Sequence, residues 1–370
     1  MERRKKIIQM MAALLAALAA LFGGLFTGST ASAKGSPGDA QNSDPRSEGA
    51  AVFNGLAFDT CQTPSLGSMN AWRKSHYRAV GVYFGGRGRA CKKQANLGRR
   101  WILEVDRMGW RVLPVYVGSQ SPCVASSNKR HVPIKGNPWA QGAWEGRDAV
   151  RRAAALGMEK RSALYLDMEP YHYRSRANCA QRTLAFIRAW THEVQGEGYL
   201  AGFYSSATTG VQHLEKARRS GVGDLPDAVW FARWRRPQQL NDAVLSRAAW
   251  APHRRIHQYA GDVSESHGGV KMKIDRNRVD APVAIISEPR DGYQAGGRNV
   301  PAKDRMSQRG EKMHGGKPKM HGGMPKAYDG KSFDKKAYDD GATDRAENFD
   351  QNSTAAERWA RRDLAVAGSF

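Results

Sequence analysis

The sequence predicts an α/β protein folded as a (β/α)8 TIM barrel, on three observations. Apolar, strand-like runs alternate with helix-like segments from Val52 to about Val283. Eight such runs fall within about 230 residues, which is the size and rhythm of this barrel. A doubly wound open sheet is the alternative, but no G-x-G-x-x-G turn follows the first run, as that fold would favour.

The eight predicted strands follow one another along the chain with helical segments between them. The strands are VFNGLAFD (52–59), AVGVYFG (79–85), VLPVYVG (112–118), ALYLDME (163–169), LAGFYSS (200–206), AVWFARW (228–234), RIHQYAG (255–261) and VKMKIDRN (270–277). The predicted helices include residues 94–108, 140–156 and 180–195, and the last of them ends at Gly196-Glu197-Gly198.

The N-terminus has the pattern of a signal peptide over residues 1–33. Basic residues at positions 3–6 precede an apolar stretch at 7–26, and Ala31-Ser32-Ala33 has the form of a signal-peptidase site. An uncleaved membrane anchor is the alternative, because the apolar stretch approaches the length of a spanning helix. Whether the arginine pair at the start marks the twin-arginine export route stays open.

Two polar segments flank the barrel, which we assign to residues 51–285. Residues 34–50 are small and polar and predict a flexible linker. Residues 286–370 contain short repeats rich in Gly, Lys and Asp and predict a low-complexity, mostly disordered basic tail. Two KMHGG repeats in this tail could bind copper through soft ligands, although a charged tether is favoured; the ligands would be Met313, His314, Met320 and His321.

Charge and cysteine content limit the partners and the compartment. Lys and Arg number 58 against 35 Asp and Glu, giving a formal charge of +23. Such a field favours an anionic partner, and export makes an anionic cell-wall polymer or membrane surface more plausible than nucleic acid. The four cysteines form an even set without a C-x-x-C pair, so we expect two disulfides in a secreted protein.

The stretch ALYLDMEPY places two acids, Asp167 and Glu169, at the end of the fourth predicted strand. Residues two apart on a strand face the same side, so Asp167 and Glu169 should point into the barrel mouth with Tyr165. The same alternation directs Asp59 of the first strand and Asp275 of the eighth inward. Acids that simply cap the next helix are the alternative for each of these positions.

Several carboxylates in one cavity favour retention of a proton by at least one of them near neutral pH. A protonated acid beside an ionised one is what cleavage of a glycosidic bond needs. Other residues near the strand ends could bind a sugar, namely Tyr83, Tyr116, Tyr204, Trp230, Trp234 and Gln258. No spacing matches a dedicated calcium loop, so neither a metal nor a cofactor is predicted.

Six segments carry a family resemblance, in the order GLAFDTCQ, ALYLDMEPY, LAGFYSS, VWFARW, IHQYAGD and KIDRNRVD. In these segments the chain resembles a secreted glycoside-hydrolase-like domain of Gram-positive bacteria that is catalogued as a domain of unknown function. That domain is similar to the family 25 lysozymes, which are muramidases with a TIM-barrel fold. The resemblance covers about residues 52–285. It implies that Glu169 is the general acid, Asp167 its partner, and Asp59 and Asp275 supporting acids.

The resemblance implies a secreted, cell-wall-associated glycoside hydrolase acting on cell-wall glycan such as peptidoglycan, as a muramidase does. A non-catalytic glycan-binding pseudo-hydrolase would keep the same cleft and is the alternative. Expected partners are wall polysaccharide and, through the basic surface, anionic wall polymers, with no nucleic acid and no protein partner. The loop HYRSRANC after Glu169 departs from typical lysozymes.

The barrel also gives the cysteines a place, because each follows one of the first four strands. Bridges between neighbouring loops would make the rim of the cleft rigid. Of the three possible pairings we favour Cys61 with Cys91 and Cys123 with Cys179, and the other two stay open.

Overall fold

Eight strands close into one barrel in the computed structural model, which describes residues 43–174 and 177–288. Each strand pairs with its neighbours in chain order, and the first pairs with the last. The predicted closed α/β barrel is therefore confirmed. The strands are β1 (Val52–Asp59), β2 (Ala79–Gly85), β3 (Arg111–Tyr116), β4 (Ala163–Asp167), β5 (Leu200–Ser206), β6 (Ala228–Ala232), β7 (Arg255–His267) and β8 (Val270–Pro282).

The last strand departs from a fully parallel (β/α)8 barrel. Strands β1 to β7 run parallel to one another, whereas β8 is antiparallel to both β7 and β1. Gly268 and Gly269, both at positive φ, form the turn between β7 and β8, and a two-glycine link is typical of a tight hairpin. Because of this reversal, Asp275 lies where β8 enters the barrel and stands directly opposite Asp59.

Helices follow only the first five strands within the described residues. Helix α3 begins at Pro138, where the Asn137 side chain accepts hydrogen bonds from the first backbone amides and proline fits the first helical position. Residues 233–254 connect β6 to β7 without a helix. The helices are α1 (Leu66–Trp72), α2 (Arg99–Arg107), α3 (Pro138–Ala155), α4 (Ala177–Gly196) and α5 (Gln212–Arg219), the last preceded by a π-helical turn at Ala207–Val211.

The sheet separates two apolar layers. Outward side chains such as Phe58, Leu164 and Leu166 pack with the helices, while Tyr165 and Trp230 fill the barrel interior. Gly81 is inward as well, and a Cβ atom there would lie 2.5 Å from the Cβ of Asp59. The absence of a side chain at this position leaves room for both Asp59 and Trp230 inside the barrel.

Residues 43–50, predicted as part of the flexible linker, pack against the barrel. Pro45 starts a short 3-10 helix, Pro45–Glu48, and is buried. The reason lies at Arg254, whose side chain is fully buried and needs acceptors: it donates to the Ser43 backbone carbonyl at 2.9 Å and to the Glu48 carboxylate at 3.0 Å. The ordered unit thus begins before residue 51.

Several predictions concern residues outside the described ranges. They are the signal peptide with its alternatives, the first part of the linker, and nearly all of the tail, including Met313, His314, Met320 and His321. No helix within 43–174 and 177–288 is both long and apolar enough to span a bilayer.

Both predicted disulfides are present, between Cys61 and Cys91 and between Cys123 and Cys179. They join the chain segments that follow neighbouring strands β1 to β4, as expected from the barrel, although Cys179 lies in the first turn of α4 and not in a loop. Disulfides form and persist in oxidising compartments, so their presence agrees with export of the protein.

Candidate active site

The two acids of ALYLDMEPY stand at the mouth of the barrel. Asp167 is the last residue of β4, and its side-chain neighbours along the strand, Leu166 and Met168, pack outward against the helices. This outward packing is part of the alternation that predicts inward positions for Asp167 and Glu169. Asp167 is buried, with 4% of its surface exposed, whereas 30% of the Glu169 side chain is exposed.

Asp59 and Asp275 form the second half of the acid cluster, directly opposite each other on β1 and β8. Asp59 accepts hydrogen bonds from the Tyr83 hydroxyl at 2.8 Å and the Asn277 amide at 2.8 Å. Asp275 accepts one from the backbone N–H of Asp262 at 2.6 Å. Burial raises the pKa of both carboxyls, and the charge of Asp59 raises that of Asp275 further.

Gln258 links Asp59 and Asp275 to two aromatic side chains at the mouth. Its amide nitrogen donates to Asp59 at 3.1 Å and to Asp275 at 3.4 Å. Its carbonyl oxygen accepts from the Tyr204 hydroxyl and from the Trp234 indole, both at 3.0 Å. Gln258 is buried and its polar atoms are fully engaged by the protein, so it positions other side chains instead of binding sugar hydroxyls. The prediction of a hydroxyl-binding role for Gln258 is therefore wrong.

Asp167 differs from the other acids because one of its oxygens has no partner. Its Oδ1 atom is buried and accepts no hydrogen bond from the described residues. Burial, followed by the negative charge of Glu169, raises the pKa of Asp167 to about 8. A carboxyl with this pKa holds a proton at neutral pH. An unpaired, protonated carboxyl beside an exposed one is a site prepared to exchange a proton.

Glu169 is held in place by a loop that follows β3. The Glu169 backbone N–H donates to the side-chain oxygen of Gln120 at 2.8 Å, and the amide nitrogen of Gln120 donates to the Asp167 carbonyl at 2.9 Å. Lys129 of the same loop places its ammonium 3.5 Å from the Glu169 carboxylate. The loop thus fixes both the backbone and the side chain of the predicted general acid.

Three of the predicted aromatic residues lie at the mouth with partly exposed side chains: Tyr83, Tyr204 and Trp234. Burial is the main cause that raises the pKa of the Tyr83 and Tyr204 hydroxyls above the usual value, and the charge of Asp167 raises both further. These tyrosines therefore stay neutral and can donate hydrogen bonds.

Two other aromatic predictions are wrong. Tyr116 points outward, is 1% exposed, and its hydroxyl donates to Asp148 of α3 at 2.9 Å. Alternation along β3 explains this, because Val115 occupies the inward position. Trp230 does point inward but is 1% exposed, and its indole donates to Asn277 at 2.8 Å. It supports the acids from inside the barrel and offers no face to a sugar.

Three residues of the site were not predicted as functional: Asn277, Gln120 and Lys129. Asn277 follows Asp275 by two positions, so the same strand alternation could have identified it. Gln120 and Lys129 lie in an irregular loop, where no periodicity indicates which side chains turn toward the site.

No three His, Cys, Asp or Glu side chains of the described residues converge as metal ligands would. An open cavity of about 670 Å³ lies elsewhere, beside α5, and none of the four acids lines it; its residues include Tyr173, Arg174, Gln212 and Lys216. The site is therefore defined by the acid network and not by the volume of this cavity.

A family model described as "Rv2525c-like, glycoside hydrolase-like domain" matches residues 70–279, which include β2 to β7 and most of β8. The chain belongs to this family. The family resemblance predicted from the sequence is thereby confirmed. Within the Rv2525c-like match lie Asp167, Glu169, Gln258 and Asp275, while Asp59 precedes it. A comparison with curated proteins gives no match.

Solved structures similar to this Rv2525c-like chain include three from different bacteria. An uncharacterized B. stearothermophilus protein is 21% identical, with 61% of this chain and 95% of that chain covered and a TM-score of 0.40. The Tat-secreted Mycobacterium tuberculosis protein Rv2525c, bound to L-tartrate, is 15% identical over 61% and 96%, with a TM-score of 0.43. The modular autolysin LytC from Streptococcus pneumoniae is 16% identical over 63% and 47%, with a TM-score of 0.38.

Proposed function

We propose that this protein is an exported glycoside hydrolase that cleaves cell-wall glycan of the peptidoglycan type, with Glu169 as general acid assisted by Asp167. The observation that carries the proposal is the contrast within this pair. Asp167 is buried, its Oδ1 atom accepts no hydrogen bond from residues 43–174 and 177–288, and it holds a proton at neutral pH, whereas Glu169 is partly exposed at the mouth of the barrel. Such pairing of a protonated and an accessible carboxyl suits hydrolysis of a glycosidic bond.

In this proposal the exposed member of the pair touches the substrate and the buried member supplies its proton. A proton moves from Asp167 to Glu169, and Glu169 donates it to the glycosidic oxygen as the bond from that oxygen to the sugar C1 carbon breaks. Water then adds its hydroxyl to C1 and returns its remaining proton to the pair. When the sugar carries an N-acetyl group, that group can attack C1 first, before water completes the hydrolysis.

The surroundings of the pair support a carbohydrate ligand. Tyr83, Tyr204 and Trp234 have partly exposed rings at the mouth, and flat aromatic surfaces pack well against sugar rings. Their polar atoms are held by Asp59 or Gln258, so the rings are fixed before a ligand arrives. The excess of basic residues, which gives the full sequence a formal charge of +23, would hold the exported protein at an anionic cell wall.

The test measures release of new reducing ends from purified peptidoglycan by the oxidised protein and by its Glu169→Gln variant. We expect Glu169→Gln to lower the rate by at least about 100-fold, since general acid catalysis contributes on that order. Glu104→Gln is the matched control, because Glu104 lies on α2 in a surface ion pair with Arg107 and should be replaceable without effect. Unchanged activity in Glu169→Gln would sink the proposal.

One observation favours a second function, in which the cleft binds glycan without cutting it. The Lys129 ammonium lies 3.5 Å from the Glu169 carboxylate, so the partly exposed acid of the pair is already engaged by the protein when no ligand is bound. Retention on insoluble cell wall that is lost at high salt, with no cleavage product after prolonged incubation, would support this binding role.

A further inference from the structure

Lys129 is a buried cation, which is unusual because lysine side chains are rarely buried. It ends the short 3-10 helix Ser127–Lys129, between β3 and α3, and its side chain is 8% exposed. Its ammonium donates to the Gly88 carbonyl at 2.9 Å and pairs with the Glu169 carboxylate at 3.5 Å. A buried ammonium is costly unless it is hydrogen-bonded and paired, so Glu169 is the anion that allows Lys129 to be charged here.

The loop that carries Lys129 is fixed to the segment that carries Glu169. Cys123 of the loop is bridged to Cys179 of α4, and the Ala125 backbone N–H donates to the Pro170 carbonyl at 2.8 Å. Gln120 adds two further hydrogen bonds, to the backbone on either side of Met168. These links restrict the distance between the Lys129 ammonium and the Glu169 carboxylate, so the positive charge is a permanent part of the site.

Among the described residues, Lys129 is the cation with the largest effect on the Asp167 carboxyl. Glu169 and Asp59 both raise the pKa of Asp167 and Lys129 lowers it, while burial has the largest effect. Tyr83 and Tyr204 face the same carboxyl from β2 and β5 as neutral hydroxyls. Replacing Lys129 with a neutral side chain would therefore remove the positive charge that lowers the pKa of Asp167 and leave the effects that raise it.

We propose that Lys129 is a positioning residue that holds the Glu169 carboxylate at the mouth of the barrel and sets how the proton is divided between Asp167 and Glu169. In the free protein the Lys129 ammonium attracts the negative charge of the Glu169 carboxylate. A ligand that enters between Lys129 and Glu169 would weaken this attraction and favour transfer of the proton from Asp167 to Glu169. The catalytic consequence rests on the proposed hydrolase function, but the electrostatic role of Lys129 does not.

The electrostatic role can be tested without any activity. We would follow the side-chain carboxyl ¹³C signal of Asp167 by NMR as pH is varied, identifying the signal by its loss in Asp167→Asn. The Lys129 charge lowers the pKa of Asp167, so its removal in Lys129→Met should raise the midpoint of the Asp167 titration by about one pH unit. Lys129→Arg keeps the charge and should restore the midpoint to within a few tenths of a unit of the unsubstituted protein.

An unchanged Asp167 midpoint in Lys129→Met would overturn the proposal, as would an equal shift in Lys129→Arg. Thermal unfolding of each variant shows whether it is folded, and Lys129→Gln replaces Lys129→Met if the apolar side chain prevents folding. Peptidoglycan cleavage is then measured against pH. If no variant and no pH gives cleavage, the hydrolase proposal fails, while a shifted midpoint still establishes the role of Lys129.

Discussion

Replacing Asp167 with asparagine should stabilise the protein at neutral and alkaline pH while it destroys activity. The Asp167 carboxyl is 4% exposed, and burial raises its pKa from 3.8 to about 8. A raised pKa means that the folded protein favours the neutral form, so this group costs no stability below pH 3.8. The cost grows as pH rises from there and becomes constant above about 8.

The magnitude follows from the size of the shift. Each pKa unit corresponds to about 1.4 kcal/mol, so a shift from 3.8 to about 8 gives a limiting cost on the order of 6 kcal/mol, with about half of it present at pH 6. Asp167→Asn has nearly the same shape and carries no charge at any pH. The free energy of unfolding of Asp167→Asn should therefore exceed that of the unsubstituted protein by an amount that grows as pH rises from 3.8 to about 8.

The assay is chemical denaturation of both proteins, with disulfides intact, at pH 4, 6 and 8. The difference between them reports the titration of Asp167 together with its effect on Glu169, because the groups away from this pair titrate alike in both proteins. We expect this difference to increase with pH by several kcal/mol in favour of Asp167→Asn. A difference independent of pH, or one that favours the unsubstituted protein at pH 8, would refute the assignment of a raised pKa and with it the proton on which the proposed mechanism depends.

Two further changes test the supports of the site. Asn277→Ala removes the amide that donates to Asp59 and the oxygen that accepts from Trp230. Because buried groups are then left unpaired, the free energy of unfolding measured in urea should fall by about 2–4 kcal/mol. A decrease below about 1 kcal/mol would contradict this role. Replacing both Cys123 and Cys179 with serine opens a loop with a sequence separation of 56, which should lower the free energy of unfolding in urea by about 4 kcal/mol and lower cleavage through the loosened loop of Lys129. The same change at Cys61 and Cys91, where the sequence separation is 30, should lower the free energy of unfolding by slightly less, because the loop that it opens is shorter.

The order of elements and the inward acids could be predicted from the sequence because both depend on local periodicity. Strand alternation around Asp167 and Asp59 requires only that one face of the strand meets helices and the other faces the interior. The neighbouring-loop disulfides follow from the same order, since successive strands of a barrel are adjacent. The prediction is wrong at Tyr116 because alternation along β3 directs this side chain outward, although it lies at a strand end.

What only the tertiary structure decided is how the site is charged and which groups are free in it. The antiparallel direction of β8 follows from the turn at Gly268 and Gly269, yet its consequence, Asp275 facing Asp59, requires the closed barrel. The sequence alone determined that acids gather at the mouth of an α/β barrel. It could not show that Gln258 is fully engaged, that no described residue donates to Asp167 Oδ1, or that Lys129 contacts Glu169, because burial and electrostatics depend on side chains brought together from distant parts of the chain.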